Sequence, residues 1–189
     1  MNKKGFTLVE LLIVIAVLAI LTAAVVVVLN PAELLRQARD SQRFSDLDTL
    51  RSALSLYITD VDSPSLGTTT NCFVYGGISL TANCGGHAAV SATTWTGAAS
   101  TSRAVNGSGW VPVAFSSISG GSPVSMLPTD PSHNATYYYT YIPGTNTTFE
   151  INAVLESSKY STGTGNKMIN TVDGGSNNLL YEIGTNLAL

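Results

Sequence analysis

The sequence is poor in charged residues, and this shortage argues against one class of partner. Asp, Glu, Lys and Arg together make up 11% of the 189 residues, and the formal net charge is −3 at pH 7. Only eight of the last 127 residues are charged. A charge-poor, slightly acidic surface does not attract the phosphate backbone, so we infer no specific nucleic-acid partner.

Cysteine and histidine are also scarce, which limits the possible metal sites. The chain has two of each, namely Cys72, Cys84, His87 and His133. Four residues are enough to ligate zinc, but their spacing matches no compact zinc motif. We therefore predict no metal and no cofactor, with a zinc site as the weaker alternative.

The recurring motifs of enzymes are absent as well. Gly163–Met168 is rich in glycine but lacks the spacing and the hydroxyl residue of a phosphate-binding loop. Gly107–Gly109 contains a serine, yet a nucleophile elbow needs one more residue on each side of it. Asp130 and His133 occur among many serines, as the composition alone would give. We predict that the protein is not an enzyme.

One loop offers oxygen atoms and flexible glycines that are typical of calcium sites. Asn170–Asn178 contains Asp173 as its single carboxylate, whereas calcium usually takes several. We interpret this segment as a surface turn.

What the sequence does have is one long apolar run, Phe6–Leu29, interrupted only by Thr7, Glu10 and Thr22. As a helix it extends about 36 Å, which is enough to cross a hydrocarbon layer of about 30 Å. A secretory signal has a shorter apolar core that ends at a small-residue cleavage site. Ala23-Ala24 leaves such cleavage as the alternative.

Basic residues flank this run on one side only. Lys3 and Lys4 precede it, and the next basic residue is Arg36. The positive-inside bias then keeps the N-terminus in the cytoplasm and sends everything after Leu29 outward.

Residues 4–12 read Lys-Gly-Phe-Thr-Leu-Val-Glu-Leu-Leu. With the apolar helix that follows, they resemble the class III leader of type IV pilins and pseudopilins. The resemblance implies that a prepilin peptidase removes Met1–Gly5 by cutting between Gly5 and Phe6, and that Phe6 is then N-methylated. It makes Glu10 the fifth residue of the product. The leader has only five residues, which fits the short leaders of this family.

The same resemblance implies partners and a location. The prepilin waits in the inner membrane, meets a pilus assembly platform, and joins a homo-oligomeric helical filament at the cell surface. Its fold would be α+β, with a long N-terminal helix, kinked near Pro31, packed against a small C-terminal antiparallel sheet.

Glu10 is costly where it lies, because a charge at the centre of a membrane helix costs about 2.5–3.5 kcal/mol or more. Cleavage would create a free amine on Phe6, about 6 Å along the helix. Within one subunit this reach is awkward, but an axially shifted copy brings its amine beside the carboxylate, where low dielectric strengthens the attraction. We predict that Glu10 sets the register of assembly. The alternative is that its side chain reaches back to the cytoplasmic interface.

The segment after the apolar run predicts a second, amphipathic helix. Asn30-Pro31 favours a kink or a short unwound segment in the helix. Asn30 could also cap a new helix with Pro31 at its first position. The alternative is that the membrane helix simply ends here. From Ala32 to about Asp60, apolar residues recur every three or four positions: Phe44, Leu47, Leu50, Leu54, Ile58 and Val61. We predict that the charged face is mostly solvated, with local pairs such as Arg36–Asp40; pairing between subunits is the alternative.

After Asp62 the composition shifts to Gly, Ser, Thr and Asn, which indicates a domain rich in strands and loops. Phe149, Ile151, Ala153 and Leu155 would share one strand face, packed on the amphipathic helix. The predicted strands are Trp110–Phe115, Thr136–Ile142, Thr147–Leu155 and Leu179–Ile183, with a hairpin turn at Pro143–Asn146. The predicted long loops are Ser63–Thr70, Ser91–Ser108 and Ser157–Asn178.

A second, weaker resemblance covers Met126–Glu156. Leu127–Pro131 and the tyrosines of Tyr137–Tyr141 are similar to the sheet region of major pseudopilins and short pilins. Ordinary sheet packing accounts for such tyrosines equally well, so we infer no ligand there.

Cys72 and Cys84 both lie in the part that would be exported. An oxidising compartment favours a disulfide between them, worth about 3 kcal/mol in the chain-entropy model. Two free thiols are the alternative.

We therefore divide the chain into a leader 1–5, a membrane and filament-core helix 6–29, an amphipathic helix 30–62 and an exported β-rich domain 63–189. The predicted function is that of a structural, major-pilin-like subunit of a type IV pilus. The alternatives are a pseudopilin of a type II secretion or competence system, and a membrane-anchored binding domain that does not polymerise.

Overall fold

The computed structural model describes residues 5–78, 82–87, 96–161 and 169–189. The chain divides into two compact units, Met1–Arg36 and Gln37–Leu189. The architecture is α+β, as the sequence predicts.

The first unit contains helix α1, Leu8–Leu29, and the start of helix α2, Pro31–Asp60. Between them Asn30 has left-handed backbone angles, with φ 40° and ψ 72°. Its side-chain oxygen and its carbonyl oxygen both accept from the N–H of Glu33, at 3.4 and 3.0 Å. The predicted interruption is confirmed, with Asn30 capping α2 and Pro31 at its first position, where a missing N–H costs nothing.

In the second unit, α2 buries the predicted apolar face. Leu47, Leu50 and Leu54 are fully buried, and Ile58 and Val61 are partly buried against the same core. This face also includes Ala53 and Tyr57. Phe44 lies further along and contacts the rings of Tyr160 and Tyr181 edge-on, at centroid distances of 5.2 and 4.9 Å.

The described part of the chain forms one five-stranded sheet in the order β2-β1-β3-β4-β5. β2 runs parallel to β1, and the other three pairs are antiparallel, so the sheet is mostly rather than wholly antiparallel. The strands are β1 Asn71–Tyr75, β2 Thr96–Ser100, β3 Tyr139–Pro143, β4 Phe149–Ala153 and β5 Tyr181–Gly184.

The β3–β4 hairpin is confirmed, with its turn at the predicted place. Gly144 and Thr148 close the turn through a 2.8 Å backbone hydrogen bond. Asn146 and Thr147 have φ of 54° and 58°, left-handed angles that asparagine tolerates better than most residues.

The sheet buries both of its faces, in different ways. Phe149, Ile151 and Ala153 lie in the apolar core with the buried face of α2, as predicted. Leu155 was predicted to share this face, but it is buried beyond the end of β4 and is not part of that core. The alternate residues of β4, Glu150 and Asn152, are also fully buried, on the opposite face. The short helix α3, Ala82–Gly86, places Cys84 against Cys72 and Ile142, which form a second small cluster with Leu189 beside it.

The predicted strand Trp110–Phe115 is wrong. Its residues are mostly buried, but the segment is irregular and ends in a 3-10 helix, Phe115–Ser117. Pro112 has no N–H to donate to a strand ladder. The indole N–H of Trp110 donates to the carbonyl oxygen of Pro128 at 3.0 Å, outside any sheet. The predicted loop Ser91–Ser108 is wrong in part, because it contains β2.

Candidate functional site

The predicted cleavage point lies in exposed, non-helical backbone. α1 begins at Leu8, so the Gly5–Phe6 bond precedes the first helical turn. Phe6 is 85% exposed, and a Cβ atom added to Gly5 would meet nothing within 4 Å. A peptide bond in this position is accessible to a protease without unwinding the helix.

Thr7 and Glu10 form a capping box at the start of α1. The Glu10 carboxylate accepts from the backbone N–H and the hydroxyl of Thr7, both at 2.8 Å, and the Glu10 N–H donates to the Thr7 hydroxyl at 3.2 Å. Two backbone donors that a helix start leaves unpaired are thus satisfied. Glu10 was predicted from the sequence and Thr7 was not, although Thr-x-x-Glu before an apolar run is the signal of a capping box.

The partners of Glu10 within one subunit are therefore neutral. Among the described residues, no Lys, Arg or His lies within 4 Å of its carboxylate. Hydrogen bonds from Thr7 stabilise the acid without neutralising it. The amine that cleavage would create on Phe6 remains a prediction.

α1 presents its apolar side chains to the exterior along its whole described length. Leu8–Val26 has a mean hydropathy of 2.9, and none of it is buried. By length and composition this is one helix able to cross a membrane.

The prokaryotic N-terminal methylation motif matches residues 1–26, which include the Gly5–Phe6 bond, Thr7 and Glu10. The chain thus has a prepilin-type N-terminal segment. No curated protein and no solved structure matches the chain. The prepilin motif implies processing by a prepilin peptidase and assembly into a pilus or pseudopilus, and it points to a structural protein. Together with the apolar helix, it indicates anchoring in the membrane before assembly.

The second unit contains a buried charge network that was not predicted from the sequence. It consists of Asp40 and Arg43 on α2, with Asp130 and Glu156 from the loops. The Arg43 guanidinium contacts Asp130 at 2.7 and 2.9 Å, Asp40 at 2.8 Å, and Glu156. Asp40 also accepts the N–H groups of Glu156 and Ser157, at 2.9 and 2.8 Å.

The predicted solvation of this helix face is therefore wrong at Asp40 and Arg43, which are fully buried. The expected pair Arg36–Asp40 does not form, because Arg36 contacts Glu33 and Asp40 contacts Arg43. Asp130 lies between two prolines in the segment Leu127–Pro131, and this was the one sequence signal for the network.

Electrostatics in the network favours its charged form. Burial lowers the pKa of Arg43, but its hydrogen bonds to Asp130 and Glu156 outweigh burial and raise the pKa above its ordinary value. Burial raises the pKa of Glu156, but hydrogen bonds from Arg39, Ser132 and Arg43 outweigh it and lower that pKa to about 2. Such a network fixes loop positions on the helix, and nothing in it resembles a catalytic centre.

Cys72 and Cys84 form the predicted disulfide, with their Cα atoms 6.0 Å apart and both side chains fully buried. The bond removes both sulfurs from the zinc alternative. His87 is buried and stacks on Tyr138 at a centroid distance of 4.2 Å, whereas His133 packs on Tyr75. In the turn predicted for 170–178, the Asp173 carboxylate accepts from the N–H groups of Gly175 and Glu182, both at 2.9 Å.

Proposed function

We propose that this prepilin-type protein is a structural, major-pilin-like subunit of a type IV pilus. After cleavage between Gly5 and Phe6 and methylation of Phe6, it polymerises through α1 into a helical filament. The carrying observation is that α1 is long and apolar, is exposed over Leu8–Val26, and lies in the segment that matches the methylation motif. A helix of this kind needs apolar surroundings, which the membrane supplies before assembly and copies of α1 supply afterwards.

Glu10 distinguishes assembly from simple anchoring. An acid adds nothing to the hydrophobic attraction of a membrane anchor and is costly there. In a filament, the amine on Phe6 of an axially shifted copy offsets that cost and fixes the stagger between subunits. Assembly would exchange the neutral Thr7 contacts of Glu10 for this charged one.

The second candidate is a pseudopilin of a type II secretion or competence system, which would share the whole N-terminal segment. The observation in its favour is Asp130, which lies in the pseudopilin-like segment Leu127–Pro131 and is held in the buried charge network. Long surface fibres composed of this chain would support the pilus, and short envelope-bound polymers would support the pseudopilus.

The first experiment determines the mature N-terminus by mass spectrometry in a host that contains the prepilin peptidase. We expect loss of Met1–Gly5 and the added mass of one methyl group on Phe6. An intact Met1–Gly5 would rule out both filament functions and leave a membrane-anchored domain.

The second experiment compares filament yield for Glu10→Gln and Thr7→Ala. Glutamine can complete a capping box but carries no charge, so Glu10→Gln separates charge from capping. We expect Glu10→Gln to be cleaved and to stay in the membrane, yet to lose filament yield roughly tenfold or more, since about 1.4 kcal/mol per contact already gives that factor. Thr22→Ala is the matched control, because Thr22 bonds only within α1, to Leu18. Normal yield from Glu10→Gln would contradict the register role.

A further inference from the structure

Two glutamates lie side by side on the sheet face that is turned away from α2. In the β4–β5 ladder, Asn152 is opposite Glu182 and Glu150 is opposite Gly184. Directly opposed residues share a face, as do residues two apart, so both glutamate side chains lie on that face. Both are almost inaccessible, with 0% and 2% of their surface exposed.

The two carboxyl groups use three of their four oxygens as acceptors. Glu150 accepts from the Asn152 amide at 2.7 Å and from the Leu189 N–H at 2.9 Å. Glu182 accepts from the Asn177 N–H at 2.8 Å. Its other oxygen, Oε1, is buried and has no hydrogen-bond partner in the described part of the chain. Leaving a buried acceptor without a hydrogen-bond donor is costly, so Glu182 Oε1 requires a donor group beside it.

The described surroundings of the two glutamates supply no positive charge. No Lys, Arg or His comes within 4 Å of either carboxyl group among the described residues. Asp173 repels the charge on Glu182. The ring of His87 is buried, which lowers its pKa to about 4 and leaves it neutral; its carbonyl oxygen accepts from Asn152.

We propose that Glu150 and Glu182 share one proton at neutral pH and that this shared proton closes a latch on the segments 173–177 and 185–189. The proton on Glu150 supplies the donor that Glu182 Oε1 lacks. The pair then carries one negative charge instead of two, in a site where the described residues provide no cation.

The two glutamates each hold one of these segments. Glu150 binds the Leu189 N–H and Glu182 binds the Asn177 N–H, while the Ser176 N–H donates to the carbonyl oxygen of Leu187 and joins the two segments. Gly175 lets the backbone approach closely, since a Cβ atom there would overlap the Glu182 carboxyl group. Loss of the shared proton places two like charges beneath both segments and weakens the latch.

The direction of the pH dependence follows from burial. Burial raises the pKa of Glu150 to about 8, and it raises the pKa of Glu182 as well. An unfolded glutamate titrates near about 4.3, so between about pH 4.3 and 8 the folded chain holds more protons than the unfolded chain. Stability therefore falls as the pH rises through that window, and above it the folded state itself loses the proton.

The test is amide hydrogen exchange of the full chain in detergent, corrected for intrinsic rates, for wild type and Glu150→Gln. The carboxamide keeps one acceptor oxygen for Leu189 and donates to Glu182 without titrating. Asn152 loses its acceptor on residue 150 but keeps its hydrogen bond to the His87 carbonyl oxygen. We expect the wild type to lose protection in 173–177 and 185–189 by roughly tenfold between about pH 6 and pH 9, and Glu150→Gln to keep it. Asp62→Asn, an exposed acid outside the pair, is the matched control and should behave like the wild type.

Infrared spectroscopy supplies the independent readout, because a protonated carboxyl group has its own C=O band. We expect that band in the wild type at about pH 6, and its loss at about pH 9 and in Glu150→Gln. Absence of the band at the lower pH, or equal protection at both pH values, would overturn the proposal. Calcium chloride provides a further check. If its addition removed the band and increased the amide protection, a cation would occupy the place of the proton, and the proposal would be overturned. Each readout uses unassembled protein and is independent of filament formation.

Discussion

Helix α1 and the part of α2 from Gln37 onward differ in residue composition and in where their side chains find contacts. α1 has only two residues that are not apolar, Glu10 and Thr22, and its described apolar side chains are exposed. α2 alternates charged and apolar residues, and it buries both kinds within its own unit. The apolar helix thus depends on surroundings outside the subunit, and the polar helix is satisfied inside it.

The difference shows that burial is decided by available partners rather than by hydrophobicity alone. Arg43 is among the most hydrophilic residues of the chain and is fully buried, because three carboxylates surround it. Leu18 is 55% exposed in the isolated subunit, although it is strongly hydrophobic. An exposed face of this kind marks a surface for lipid or for other copies of the chain.

The largest expected effect is on the polar helix. Arg43→Met removes the cation from a buried network and leaves Asp40 and Asp130 without it, so we expect the free energy of unfolding to fall by about 3–5 kcal/mol. Denaturant unfolding of the full chain in detergent would measure this. Arg51→Met is the control, because Arg51 forms an exposed pair with Asp48 and its loss should cost less than about 1 kcal/mol. Equal losses for the two variants would show that the network adds no more stability than a surface pair.

The same leucine-to-alanine change should lower the free energy of unfolding much more in α2 than in α1. Leu50→Ala opens a cavity in the core beneath α2 and should lower the free energy of unfolding by about 2–5 kcal/mol. Leu18→Ala should change it by less than about 0.5 kcal/mol, because Leu18 is exposed in the subunit. Thermal unfolding of both variants would test the contrast, and a large loss for Leu18→Ala would contradict it.

The smallest expected effect is a change in acid sensitivity. The pKa of Glu156 is lowered to about 2, so the stability it contributes is present above its unfolded pKa of about 4.3 and is lost as the pH falls towards 2. Glu156→Gln should therefore be less stable than wild type at neutral pH, with a difference that shrinks in acid. Unfolding midpoints across this pH range would measure it. A difference that stayed constant would mean that packing, not charge, explains the loss.

Local sequence patterns were enough to predict two features of the fold. The three- and four-residue spacing from Phe44 to Val61 identified the buried face of α2, and Pro143–Asn146 identified the β3–β4 turn. Both are short-range features in which neighbouring residues determine the outcome.

The errors come from long-range structure. β2 reads Thr-Gly-Ala-Ala-Ser, which has low β propensity, and the parallel ladder to β1 holds it in place. Trp110–Phe115 resembles a strand because it is buried, but its burial comes from core packing without a ladder.

The two parts of the candidate site differ in the same way. Gly5, Phe6 and Glu10 were identified because the N-terminal motif is contiguous. Thr7, which caps α1, lies within the same segment, residues 5–10. The charge network was missed because Arg43 lies 87 positions from Asp130 and 113 positions from Glu156 in the sequence. No local spacing rule connects residues so far apart.

The left-handed Asn30 between the two helices also matters for cooperativity. Helix formation spreads from residue to residue through consecutive backbone hydrogen bonds, and it must be nucleated again wherever that series stops. Since α2 has its own cap at Asn30, melting of α2 need not propagate into α1, and insertion of α1 need not wait for α2. The residues from Gln37 onward can therefore unfold and refold while α1 stays intact.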